Sequence, residues 1–477
     1  MTSHEQTRRT NAPHTASDSW WPLIACSLGT FLLLLYTSIA TVALPDIGTG
    51  LAASYTQLQW VVDIYTLALA GLLLGAGSIG DAFGARLVYL IGIAVFTAAT
   101  LAAGLAQTPE WLIAARGAQG VAGAAMFATI PALIARAYPE PARRAIAFAV
   151  WGAVAGAASA VGTVAGGVLT QFMGWQWLFL GAVPLCLFSL LLIAKTLPSE
   201  GPETRSTATA KSLDWPGMAT VSIAMASCVY AVISASEVGW GSPRTLAAFA
   251  MSAVAWCGFA FVERGARSPI LPGTLLRSAS FLMVLLTAFA YYFAAFGALP
   301  ALALWLHHQL GVDAMTVSLI LVSQLLVFIV ASALLSHRFT QRSIAWRLGA
   351  PLLLIGLGAA SGFAANGWND WWALLPFLLL SGVGAGLISP ALPQLALDSA
   401  PSGYAAAASS APNAARQLGL ALGVAVCGVL ARDGSSGALG SALLSCAAIA
   451  VCAGIAVCFV GARGGKQAGA LDQPRLA

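Results

Sequence analysis

Charge is scarce in this chain. Asp, Glu, Lys and Arg make up 8% of its 477 residues, where a soluble domain carries about 25%. A water-exposed surface over most of the chain is thereby excluded. Histidine is rarer still, with five copies; His4, His14, His307, His308 and His337 form no ligand cluster. The eight cysteines (Cys26, Cys186, Cys228, Cys257, Cys427, Cys446, Cys452 and Cys458) lack zinc-ligand spacing. All fall inside apolar segments and read as small hydrophobic fillers. There is no GxxxxGKS/T loop, so direct drive by ATP is not expected. No span holds a nucleophile beside a base, so no enzyme, cofactor or metal is implied. The net charge of +5 reads as basic loops facing an anionic leaflet, not as nucleic-acid affinity.

What the chain does have is apolar length. Fourteen apolar segments run over 21–44, 58–80, 87–106, 111–135, 145–169, 177–197, 214–236, 245–263, 280–304, 314–336, 348–364, 371–397, 405–431 and 437–461. A hydrocarbon core about 30 Å thick is crossed by roughly 20 apolar residues of helix. Segments this long and uniform are helices rather than barrel strands. With the N-terminus placed inside, the inner regions hold eighteen of the 22 Lys and Arg residues, the outer loops only Arg244 and Arg432, and the spans Arg116 and Arg416. That bias puts both termini in the cytoplasm and the chain, multi-pass, in the cell membrane. The polar start, Thr2 to Asp18, predicts a disordered cytoplasmic tail and no cleavable signal.

The stretch 198–212 separates six segments from eight. The expected layout is a tail (1–19), an N-terminal six-helix bundle (20–197), a cytoplasmic linker (198–212), an inserted helix pair (213–263), a C-terminal six-helix bundle (264–461) and a second tail (462–477). Paired bundles are a common plan of secondary transporters, with the substrate path between them.

The loop after the second segment reads Gly77-Ser-Ile-Gly80-Asp81-Ala-Phe-Gly84-Ala-Arg86. Gly84 suits a tight reversal. Asp81 sits near the positive end of the next helix and within reach of Arg86. The fourth segment opens with Arg116-Gly-Ala-Gln119-Gly120 and continues to Gly123. A guanidinium set inside the membrane is a functional candidate by default. Gly152, Gly156, Gly162, Gly166 and Gly167 on the fifth segment form small-residue ridges suited to close helix packing.

These motifs resemble those of the major facilitator superfamily: the 77–86 loop its gating-loop signature, Arg116–Gly120 its helix-four signature, and Gly162–Gly167 its antiporter signature. Further runs resemble the fourteen-span drug:proton antiporter branch. They are Thr41-Val-Ala-Leu-Pro45, Leu58-Gln-Trp-Val-Val-Asp63, Trp175-Gln-Trp-Leu-Phe179 and Asn413-Ala-Ala-Arg416-Gln-Leu-Gly419. The resemblance spans about residues 20–460 and implies an all-α major-facilitator fold of about 14 transmembrane helices. Tyr36 stands where the family has a span-one acid, Thr41 for a nearby Asn, Ala82 for the first loop Arg and Thr163 for a helix-five Pro. The 336–347 loop lacks the Gly and Asp of its first-half counterpart.

Of 17 carboxylates, only Asp63 lies within a span rather than in a tail, a loop or a helix end. Arg116 is expected at a similar depth, so the two are candidates for proton coupling by a switching pair, or for a static structural pair. Arg416 either attracts anionic groups in a cavity or bonds helix carbonyls, Gln394 or Gln417. A cavity lining is drawn from Tyr36, Tyr65, Gln119, Tyr291, Tyr292, Phe293, Phe296, Gln324, Gln394 and Arg416. Its aromatic, weakly polar character suits bulky apolar compounds; lipid-facing packing is the other reading for 291–296. The expected function is proton-coupled efflux of a hydrophobic drug or antibiotic by a monomer in the lipid bilayer. The alternatives are a dedicated metabolite exporter, an uncoupled facilitator and a transporter-like sensor.

Overall fold

The computed structural model describes residues 19–197, 214–266, 269–312, 314–339, 342–364, 370–400, 404–431 and 436–471. Most of the expected N-terminal tail and the whole 198–212 linker lie outside them.

Apolar runs become helices because a helix satisfies every backbone polar group within itself, which lipid demands. The first group is α1 (Trp21–Val42), α2 (Leu44–Leu51), α3 (Tyr55–Phe83), α4 (Ala85–Gly104), α5 (Pro109–Ala137), α6 (Pro141–Met173), α7 (Trp177–Leu180) and α8 (Val183–Thr196). Two antiparallel helices follow, α9 (Trp215–Val238) and α10 (Pro243–Gly265), packed on each other. The last group is α11 (Gly273–Arg277), α12 (Ala279–Phe296), α13 (Leu299–Leu310), α14 (Ala314–Val330), α15 (Ala350–Ala364), α16 (Leu375–Asp398), α17 (Ala405–Leu430) and α18 (Ser436–Leu471). Short π and 3-10 turns bridge Ala331–Phe339 and open α15 at Ala345–Gly349. The second tail was placed from 462, whereas α18 stays helical to Leu471.

Twelve helices among the described residues are long and apolar enough to cross a membrane. Fourteen segments were expected. Of the other two, α1 supplies a shorter apolar stretch, Trp21–Thr37, and α6 runs as one 33-residue helix through the remaining segment.

Helix ends follow local chemistry. Ser54 and Gln57 form a reciprocal capping box on α3, satisfying two otherwise orphaned N–H groups. Thr108, Asp214 and Ser242 cap α5, α9 and α10 through side-chain oxygens. Gly84 turns α3 into α4 at φ +94°, backbone that only glycine adopts without strain.

The two groups meet along a seam. From the first, α6 packs on α14 and α16, and α3 and α5 pack on α17; α9 touches both α3 and α17. Near the arginine-rich end, Ser332 donates to the Ala149 carbonyl at 2.9 Å and Ser409 to the Ala128 carbonyl at 3.2 Å. Arg144 also pairs with Asp398 across the seam at 3.2 Å.

Small residues set the closest approaches. A Cβ on Gly120 would sit 2.5 Å from the Tyr65 carbonyl oxygen, and one on Gly123 2.9 Å from Leu33. One on Gly152 would meet Ser332 at 3.0 Å, and one on Gly156 would run into the Phe328 ring. The ridges read from sequence thus do two jobs. Gly120 and Gly123 seat α5 within the first group, whereas Gly152 and Gly156 seat α6 against the second. Gly162 is buried too; the surroundings of Gly166 and Gly167 lie outside what is described.

Candidate functional site

Two arginines lie buried among apolar helices, and their surroundings differ. Arg116 is 0% exposed. Its Nε donates to the Val61 carbonyl at 3.0 Å, Nη1 to Gln119 Oε1 at 3.1 Å and Nη2 to the Tyr36 carbonyl at 3.1 Å. The guanidinium also stacks 4.2 Å from the Tyr65 ring centroid. The holders are themselves held. Gln119 donates to Thr100 at 2.8 Å, Tyr65 to the Leu33 carbonyl at 2.7 Å and Tyr36 to the Leu178 carbonyl at 3.0 Å. Tyr36 further stacks on Phe179, ring centroids 5.6 Å apart. The expected cavity residues Tyr36, Tyr65 and Gln119 therefore form a closed cage around Arg116 inside the first helix group.

The expected Asp63–Arg116 pair does not form. Arg116 spends its donors on neutral oxygens, while half-buried Asp63 lies within electrostatic reach of Glu237 on α9. The correction has a geometric origin. Asp63 is two residues past Val61, so the helix turns its side chain well away from the carbonyl that Arg116 holds. Around Glu237 the α3–α9 seam carries a polar cluster. Arg244 contacts Glu237 at 4.0 Å, donates to the Tyr230 hydroxyl at 2.6 Å and lies 5.2 Å over that ring. Tyr230 in turn stacks with Trp60 at 6.3 Å. Sequence reading placed Glu237 and Arg244 in an outer loop. Their close spacing across the α9–α10 turn was the available signal.

Arg416 is 3% exposed and sits where the two groups meet. Its guanidinium lies between Phe127 of α5, at 5.6 Å, and Tyr292 of α12, at 5.4 Å. Among the described residues it makes one hydrogen bond, Nη1 to the Tyr291 hydroxyl at 3.4 Å. Of the expected cavity residues, Tyr291, Tyr292 and Arg416 come together here, with Phe296 packed on both tyrosines. Phe127 was missed, because one apolar residue on an apolar helix carries no signal of facing a charge.

Gln324 and Gln394 lie elsewhere. Gln324 donates to the Ala295 carbonyl at 2.7 Å and to Ser381 at 3.0 Å. Gln394, a proposed partner of Arg416, instead accepts from Arg347 Nη2 at 3.0 Å. That pair lines a small pocket with Ser336, Phe339 and Pro390 at the arginine-rich end. The expected 77–86 loop is helical on both sides of Gly84, because the apolar run of α3 carries its backbone ladder on to Phe83; Gly77 and Gly80 are buried and Asp81 half-buried in its last two turns. Arg86 donates to the Ala194 carbonyl at the end of α8, at 2.9 Å.

Comparison with known proteins agrees with this architecture. The chain is 31% identical over 424 residues to the methylenomycin A resistance protein of Streptomyces coelicolor, covering 88% of this chain and 87% of that protein. It is 34% identical over 421 residues to the puromycin resistance protein pur8 of Streptomyces alboniger, covering 85% and 80%. In shape it is similar to the crystal structure of the human organic anion transporter MFSD10, with a TM-score of 0.67 at 15% identity, over 94% of this chain and 100% of that one. That likeness speaks to the fold alone. Residues 26–424 match the Major Facilitator Superfamily. The match takes in both buried arginines and every helix but the last, α18, in whole or in large part, so this membrane transporter belongs to that superfamily.

Proposed function

We propose that the chain exports an apolar organic compound from the cytoplasm in exchange for protons, by alternating access of two six-helix bundles about the seam. The observation that carries this reading is the seam itself. Aromatic side chains from both groups converge there on the single charge of Arg416, a mostly apolar lining with a few placed polar groups, as ligand sites have. The resistance proteins named above support drug export as the outcome. In this reading the helices α1–α8 and α12–α18 form the bundles, α9 and α10 are an inserted pair, and fourteen crossings leave both termini inside. The protein works as a monomer.

Asp63 is the proposed proton carrier. Among the described residues it is the one carboxylate well inside a span, and it lies within electrostatic reach of Glu237. Because each guanidinium nitrogen of Arg116 already holds a neutral oxygen, proton exchange takes place at the α3–α9 seam without a switch of Arg116. The test is substrate uptake by everted vesicles under an imposed pH gradient. Asp63→Asn is expected to abolish gradient-driven uptake while leaving substrate counterflow. Gradient-driven uptake that survives the substitution removes Asp63 from the mechanism. Uptake that ignores the gradient in the unmodified protein favours an uncoupled facilitator, the reading that Tyr36 at the usual acidic position supports.

A further inference from the structure

Arg416 has more hydrogen-bonding capacity than its surroundings use. A guanidinium carries five N–H donors and no acceptor. Here one donor makes one bond, to Tyr291 at 3.4 Å. No carboxylate lies within ion-pairing distance among the described residues. The two flanking rings attract the cation through their faces, but ring faces do not occupy in-plane N–H groups. Asn413, one turn earlier on α17, adds to the surplus. It is 3% exposed and its Nδ2 has no partner. Residues three apart lie on one helix face, so two sets of unspent donors sit side by side. Buried polar groups in native structures are almost always satisfied, and a buried charge without a counter-charge is costlier still.

We propose that this surplus is a subsite for the carboxylate of an organic acid, held by Arg416 and Asn413 while Phe127 and Tyr292 cover its apolar body. The inference rests on the export reading and narrows its substrate class. A carboxylate supplies what the site lacks, a negative charge and two acceptor oxygens in the plane a guanidinium fork matches. Phe127 belongs to the first helix group and Arg416 to the second. The Phe127–Arg416 contact is therefore one that rocking of the groups opens, giving the acid a way in and out.

The test is binding of pyrenebutyrate and of its uncharged methyl ester to the purified full-length protein, followed by pyrene fluorescence. The unmodified chain is expected to prefer the acid by about tenfold, the scale of one charge-assisted bond. Arg416→Gln is expected to erase the preference and Arg416→Lys to restore part of it. Asn413→Asp, nearly isosteric, supplies an internal carboxylate to Arg416 and is also expected to erase it; it decides the matter if Arg416→Gln does not yield folded protein. Affinities for acid and ester within twofold of each other, or a preference that persists in Arg416→Gln, overturn the inference. So does failure to bind either probe in a chain that still pumps uncharged dyes. A chain that pumps nothing overturns the export reading, and the subsite with it.

Discussion

Arg116 and Arg416 are the same residue type at the same near-complete burial, yet one is caged and the other is not. Arg116 has three hydrogen bonds and two rings, all supplied by the first helix group. Arg416 has one long bond and two rings, and the rings come from opposite sides of the seam. A charge satisfied within one rigid body stiffens that body. A charge left unsatisfied between two bodies answers to whatever enters between them. The contrast assigns architecture to Arg116 and ligand contact to Arg416, and each assignment can be broken.

The largest effect is expected at Arg116. Arg116→Leu removes the donor from Gln119 Oε1 and from two carbonyls that also accept within their own helices. A buried acceptor left unpaired costs about 1–3 kcal/mol, so a loss of roughly 3 kcal/mol is expected in reversible unfolding by SDS. Arg416→Leu removes one weak bond and two ring contacts and also relieves an unpaired buried charge. Its stability is expected to stay within about 1 kcal/mol of the unmodified protein. Equal destabilisation by both substitutions would end the distinction.

Next in size is the close approach that seats the cage. Gly120→Ala drives a Cβ to 2.5 Å from the Tyr65 carbonyl, and backbone cannot yield as a side chain does. Overpacking of this kind costs about 1–3 kcal/mol. Gly428→Ala, within α17 and with nothing near its added Cβ, serves as the control and is expected to leave the unfolding midpoint unchanged or slightly raised. Matching midpoints for the two variants would mean that α3 and α5 slide apart without penalty, and that the cage is loose.

Much of this was legible in the sequence, and the reasons are particular. Long apolar runs have one stable backbone solution in lipid, so α3–α5, α9, α10 and α14–α17 fell close to their expected bounds, whereas the expected 280–304 span is divided at Gly297 into α12 and α13 and α18 runs on past 461 to Leu471. Gly84 announced its reversal because a positive φ leaves few other choices. Arg116 and Arg416 stood out because charge is rare there. Partners were not legible, since a guanidinium bonds a neutral carbonyl as readily as it pairs with a carboxylate. Depth alone put Asp63 opposite Arg116; helix phase turned it toward α9 and Glu237. Phe127 and Ala128 became seam residues only once two groups distant in sequence were brought together.

The smallest expected effect bears on the seam and not on either arginine's own fold. Arg144 and Asp398 join the two groups at the arginine-rich end, with side chains 23% and 44% exposed. Exposed pairs of this kind contribute about 0.2–1 kcal/mol, so Arg144→Ala is expected to leave unfolding almost untouched. The same energy acts differently on a two-state opening, where 1 kcal/mol changes a population about fivefold. Maleimide labelling of a cysteine placed at Ser336, which lines the neighbouring pocket, is therefore expected to rise by up to about fivefold in Arg144→Ala. Asp398→Asn is expected to do the same, and the double variant no more than either alone, because contacting residues are not additive. Unchanged labelling would transfer the closing role to the Ser332–Ala149 and Ser409–Ala128 bonds. Those bonds also cross the seam but carry no charge, and Arg416 would then be a charged group that senses whether the two halves have parted.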